Sequence, residues 1–147
     1  MLLTIEKVSI LKGVAIFANI PDHVLAAIAG IVDMVDLTTG ETFIEEGTIG
    51  NCMYIVIEGT VRVHSQGKTI ITLGAGKSVG ELAVLDPEPR SASVTAVTDT
   101  HLFRIDKPLF DEVMADRPEI AQGVIRALCE RIREQGRLMA DGGTPNT

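Results

Sequence analysis

Between Ser78 and Val97 the chain reads S-V-G-E-L-A-V-L-D-P-E-P-R-S-A-S-V-T-A-V, and three residue types within it can act together. Gly80 lets a backbone approach a ligand closely, because it carries no Cβ. It precedes Glu81-Leu82-Ala83-Val84-Leu85, which reads as a single helical turn whose first N–H groups lack intrahelical partners and suit an anion. Glu81, at the first position of that turn, accepts hydrogen bonds only, as the hydroxyls of a sugar diol require. Arg90 returns from the loop Asp86-Pro87-Glu88-Pro89 with a planar fork of donors that matches two phosphate oxygens. Ser91 and the Ala92 N–H can add further donors. The stretch can therefore hold a sugar hydroxyl at one end and a phosphate at the other. Glu81 alone is an ordinary helix-start carboxylate and Arg90 alone an ordinary surface charge; the pair at this separation carries the functional reading.

The elements that must position these residues follow from periodicity. Ile5, Val8, Leu11 and Ala15 recur at helical spacing from Thr4 to Phe17, so an amphipathic helix is expected, with a buried end at Val14 to Phe17. Pro21 and Asp22 open a second helix with Val24, Leu25, Ile28 and Ile31 on its inner side. Between Val32 and Asp106 the chain changes to short Val-, Ile- and Thr-rich runs. Gly40, Gly47, Gly50, Gly59, Gly67 and Gly74 fall near the expected hairpin corners. Val61-Arg62-Val63-His64 alternates, so one of its faces is solvated or lines a pocket, and Ser65-Gln66-Gly67-Lys68 reads as a hairpin turn. Asp106 is expected to cap a helix carrying Leu109, Phe110, Val113 and Met114 inward. After Arg117-Pro118 a longer helix places Ile120, Val124, Leu128 and Ile132 in a stripe. The predicted class is mainly β with flanking helices (α+β): a double-stranded β-roll or jelly roll between N-terminal helices and two C-terminal helices. One domain is expected over residues 1–137, with helices over 4–31, the roll over 32–106, C-terminal helices over 107–137 and a flexible tail over 138–147.

Composition narrows the function. Thirteen basic against 20 acidic residues give a net charge of -7, which repels nucleic-acid phosphates and anionic membrane surfaces. No direct nucleic-acid partner is expected, and the residues after Ile132 are too few for a helix-turn-helix unit. Cys52 and Cys129 lie far apart and read as small buried hydrophobes. The N-terminus lacks a signal-peptide pattern, and the longest apolar run, Val24 to Val32, falls far short of the roughly 20 residues of a membrane span, so a cytoplasmic protein is expected.

Catalysis finds no residue-level support. Gly74-Ala75-Gly76-Lys77-Ser78 resembles the end of a P-loop, but the first glycine of that motif would fall at Ile71. His23, His64 and His101 are too scattered for a metal site. No nucleophile and base pair stands out, so catalytic and metal residues are expected to be none.

G-E-L-A-V-L, a short loop and then P-R-S-A closely resemble the phosphate-binding cassette of cyclic nucleotide-binding domains, the family of the catabolite activator protein, the kinase regulatory subunits and cyclic nucleotide-gated channels. The upstream T-G-E-T-F-I-E-E-G-T-I-G-N-C-M-Y-I-V-I-E-G-T-V-R-V is similar to that family's first strands, so the resemblance runs from about Leu11 to Ile132. It implies that Glu81 takes the ribose 2'-hydroxyl and Arg90 the cyclic phosphate, with Gly80, Leu82, Ser91 and Ala92 as nearby contacts. It also implies a lid role for the last helix, through Arg133, Gln135 and Leu138. Val79 departs from the family pattern, where many members have an aromatic residue.

The expected function is a regulatory module that binds a 3',5'-cyclic nucleotide as its ligand, cAMP ahead of cGMP, with no further cofactor. Binding would be passed through the C-terminal helices to an effector domain or partner protein outside this chain. The alternative is a ligand-free module of the same fold that docks or stabilises its neighbours.

Overall fold

The computed structural model describes residues 2–142. Helix α1 (Thr4–Lys12), a 3-10 turn (Ala15–Phe17) and α2 (Asp22–Ala29) open the chain. Eight strands follow: β1 (Asp33–Leu37), β2 (Thr42–Ile44), β3 (Cys52–Glu58), β4 (Val61–Ser65), β5 (Lys68–Leu73), β6 (Ser78–Val79), β7 (Ser93–Ala96) and β8 (Thr100–Asp106). A second 3-10 turn, Glu81–Val84, lies between β6 and β7, and α3 (Lys107–Asp116) and α4 (Pro118–Ala140) close the fold. The strands form two antiparallel sheets, in the orders β1-β8-β3-β6 and β2-β7-β4-β5. This is the β-roll between helices that the sequence predicts.

Strand β3 shows why the roll holds. Successive side chains of a strand point to opposite faces, and in β3 both faces are covered. Cys52, Tyr54 and Val56 join the core between the two sheets, with Val61, Val94 and Leu102. Met53 and Ile55 join a second core under the helices, with Phe17, Phe103, Phe110 and Ile120. A strand buried on both sides needs a continuous apolar run, and C-M-Y-I-V-I supplies it. The Phe17 and Phe110 rings, with centroids 6.1 Å apart, tie the N-terminal turn to α3. In the β4–β5 hairpin Gln66 and Gly67 both have positive φ, 53° and 77°, as a two-residue turn matched to strand twist requires.

Local differences from the sequence reading have identifiable causes. The helix expected over Thr4 to Phe17 stops at Gly13, and Val14, Ile16 and Phe17 are buried around the exposed Ala15. Burying side chains so close together favours the tighter 3-10 turn over a continued α-helix. Ile5 is 75% exposed, while Leu2, Val8 and Leu11 on either side of it pack against the core. Ile31 falls after the end of α2 and is only half-buried. Asp106 does not cap α3 through its side chain; its carboxylate lies 3.5 Å from Arg104 Nε instead. Of the four residues expected inward on α3, Phe110 is buried, Val113 and Met114 are half-buried and Leu109 is exposed. On α4, Ile120 and Val124 are buried and Leu128 half-buried, but Ile132 is 67% exposed because steps of four residues have carried it round the helix, away from the face that holds Ile120. Cys52 is buried as expected, whereas Cys129 is only half-buried.

Helix α4 continues to Ala140, so Leu138, Met139 and Ala140 are helical where a tail over 138–147 was expected. Residues 143–147 of that expected tail lie outside the described residues. Among the described residues no helix is long and apolar enough to cross a membrane.

Candidate functional site

The glycine, carboxylate and arginine of the sequence motif are brought together at the junction of the two sheets. Strand β6 pairs with β3 through Val79 and Tyr54. The chain must then leave the sheet sharply, and Gly80 does so with φ 71°, a left-handed conformation that favours glycine. The 3-10 turn Glu81–Val84 follows, burying Ala83 and Val84 and leaving Leu82 51% exposed. Bonds from Ala83 N–H to Gly80 O (3.0 Å) and from Asp86 N–H to Leu82 O (2.7 Å) fix the turn.

Arg90 is held more firmly than its place in a proline loop suggests. Its N–H donates to Thr48 O (2.7 Å) and its carbonyl accepts from Gly47 N–H (2.8 Å), while Gly50 N–H donates to Glu88 O (3.1 Å). Ile49 and Pro89 form an antiparallel bridge within this ladder. The side chain donates from Nη2 to the Cys52 carbonyl (2.7 Å), with Cys52 Sγ 3.6 Å away. It runs between Gly50 and Gly80. A Cβ at Gly50 would come within 2.8 Å of Arg90 Cδ and nearer still to Nε and Cζ; one at Gly80 would collide with Nη1.

The turn and the loop line a cavity of about 610 Å³. Gly80, Glu81, Leu82, Arg90, Ser91 and Ala92, all six residues singled out from the sequence, are on its wall. Val63 from β4 and Ile44 and Val94 from the second sheet supply an apolar side, and Leu128 of α4 reaches the opening. The volume lies within the range of small-molecule sites, and an apolar cavity with a few convergent polar groups is what such sites share. Glu81 Oε1 lies 3.8 Å from Arg131 Nη2, an ion pair between the cavity wall and α4.

The other face of the Arg90 slot borders a smaller polar recess of about 310 Å³ lined by Thr48, Cys52 and Tyr54. Burial, aided by a hydrogen bond with Cys52, pushes the Tyr54 phenol up to about 12, so it stays protonated at neutral pH. Phe43 packs edge-on against the same ring. Val79, where an aromatic residue is common in the family, is buried in the inter-sheet core.

Two groups of residues escape the sequence reading. The segment Gly47 to Cys52 holds Arg90 mainly through its backbone. Of α4, Leu128 lines the cavity and Arg131 pairs with its wall residue Glu81, whereas Arg133, Gln135 and Leu138 are exposed. The clue available in the sequence was helical phase: Arg131 lies seven residues after Val124, about 20° from its direction on the helix.

A family model described as the cyclic nucleotide-binding domain matches residues 34–117. The chain is 31% identical over 137 residues to a CRP-like cAMP-activated global transcriptional regulator of Mycobacterium tuberculosis, covering 90% of this chain and 61% of the relative. A cAMP-dependent protein kinase regulatory subunit of Schizosaccharomyces pombe is 29% identical over 140 residues, covering 95% of this chain and 34% of that protein. Among solved structures, the N-terminal domain of a transcriptional regulator from Streptomyces coelicolor A3(2) superposes with a TM-score of 0.83 at 30% identity, over 88% of this chain and 94% of that one. The chain thus spans less than two thirds of the curated relatives' own length. With the match running through both sheets, the turn at Glu81 and the arginine loop, the chain belongs to the cyclic nucleotide-binding domain family.

Proposed function

We propose that this chain is a regulatory module that binds a 3',5'-cyclic nucleotide, cAMP ahead of cGMP, with the cyclic phosphate at Arg90 and the ribose 2'-hydroxyl at Glu81. The observation that carries the reading is that carboxylate and guanidinium share one wall of a single apolar-sided cavity. Arg90 spends Nη2 on the Cys52 carbonyl, and its remaining donors can serve an anion, with Ser91 and Ala92 beside them. The preference for cAMP draws on the printed names of relatives, one cAMP-activated and one cAMP-dependent. The module is regulatory, not catalytic, and works in the cytoplasm, with residues 1–137 as its domain. Its effector is a domain or partner outside this chain.

A nucleotide in the cavity would meet α4 at Leu128 and, through Glu81, at Arg131. Those contacts would differ between filled and empty states, which is what a ligand-driven switch requires. A second reading has one specific observation in its favour: Arg90 is engaged with the Cys52 carbonyl and Glu81 with Arg131, both within the protein itself. A docking module with no ligand would keep them so.

Calorimetric titration with cAMP and then cGMP separates the readings. A hydrogen bond to a charged group contributes about 1.5 to 3 kcal/mol, so Arg90→Ala should weaken binding about ten-fold or more. Saturable binding that Arg90→Ala leaves intact would sink the phosphate assignment. No binding to folded wild-type protein would favour the docking module.

A further inference from the structure

We propose that Gly50 is a positioning residue for the anion site, the missing half of a slot that holds the Arg90 side chain before ligand arrives. The inference rests on the reading of Arg90 as the phosphate-binding group and deepens it.

Gly50 differs from the glycines around it. Gly40 and Gly47 have positive φ and open space where a Cβ would be, so they serve the turn of the chain. Gly50 has no positive φ, so an alanine there meets no left-handed backbone strain. What it lacks is room: the space beside its Cα is taken by Arg90 Cδ, Nε and Cζ. Gly80 faces the far end of the same guanidinium, but its φ of 71° mixes backbone strain with the clash. Gly50 is therefore the position where the slot can be tested by itself.

The consequence is preorganisation. An arginine side chain free in solvent must lose rotamer freedom when it grips an anion. Here the Arg90 backbone is tied at N–H and carbonyl to Thr48 and Gly47, its stem is walled by Gly50, and its tip is bonded to the Cys52 carbonyl. Every one of those restraints comes from the segment Gly47 to Cys52. A methyl group at Gly50 would drive the guanidinium out of the slot and off the Cys52 carbonyl, while leaving Glu81 untouched.

The test is a double-mutant cycle of Gly50→Ala and Arg90→Ala, read in two ways. With cAMP as ligand, Gly50→Ala should weaken binding about ten-fold in wild type and have no effect in the Arg90→Ala background. The affinity ratio between cAMP and its 2'-deoxy analogue, which reports the Glu81 end, should stay at the wild-type value; a general loss of structure would erode that ratio too. Without ligand, Gly50→Ala should lower the thermal midpoint, and the drop should shrink once Arg90 is alanine. An equal drop in both backgrounds, or wild-type affinity in Gly50→Ala, overturns the slot. If wild type binds neither cAMP nor cGMP, the functional reading fails while the ligand-free cycle still decides the slot. If Gly50→Ala does not fold, the double variant must fold for the proposal to stand.

Discussion

Arg131 Nη2 of α4 and Glu81 Oε1 of the cavity wall lie 3.8 Å apart, so the group assigned to the ribose is also the group that touches the last helix. Both side chains are partly exposed, and such a pair contributes about 0–1 kcal/mol to stability. Under the proposed function its value would be in communication. Arg131→Ala should leave the thermal midpoint nearly unchanged and cAMP affinity within a few-fold. Hydrogen exchange along α4 should then respond much less to cAMP than in wild type; an undiminished response removes Arg131 from the route.

Glu81→Ala should act on one end of the ligand only. Loss of a charged acceptor for the 2'-hydroxyl costs about 1.5–3 kcal/mol, or about ten- to a hundred-fold in affinity. The variant should bind cAMP and 2'-deoxy-cAMP equally, whereas wild type should prefer cAMP. A preference that survives the substitution would place the ribose elsewhere.

Gly123 sets how closely α4 seats on the body. A Cβ there would lie 2.6 Å from Ile20 Cγ1 and 3.3 Å from the Asn19 carbonyl. Gly123→Val should cost about 1–3 kcal/mol by overpacking and lower the denaturation midpoint. Gly136 of the same helix has open space around it, so Gly136→Ala should raise the midpoint through helix propensity, by about 0.5–1 kcal/mol. Chemical denaturation of the two variants reads both signs at once.

His101 on β8 pairs with Asp36 across the β1–β8 ladder. The hydrogen bond that its Nδ1–H donates to the Asp36 carboxylate raises the imidazole above its ordinary 6.5, with desolvation opposing and the charges of Asp36, Glu58 and Asp99 adding. Because the folded state favours the protonated ring, the added stability is fully present below pH 6.5 and is lost as pH rises through the raised value. The thermal midpoint of wild type should exceed that of His101→Gln at about pH 5, with the gap closing by about pH 9. A gap that is constant across this range excludes titration of His101 as its source.

The roll was legible in the sequence because period-two runs and turn residues specify strands locally. The candidate site residues were legible for a similar reason: Gly80 to Ala92 is one continuous stretch. The support for Arg90 was not. It comes from the Cys52 carbonyl, the Thr48 carbonyl and an absent side chain at Gly50, and backbone groups are the same whatever residue carries them. The α4 contacts were missed through phase. Steps of four residues drift about 40° each around a helix, so Ile132 has turned roughly 120° from Ile120. Arg131, in phase with Val124, faces the body instead.

Helix α4 is tied to the body as far as Arg131, which pairs with Glu81; from there it runs on to Ala140, about 14 Å further. A rod anchored at one end is a lever. A tilt of about 10° at Arg131 would sweep its tip by about 2.4 Å, more than the roughly 1–2 Å by which packed helices usually shift. Under the proposed function a ligand would therefore need to tilt α4 only slightly: at Met139 the tilt would become a displacement that another surface can register.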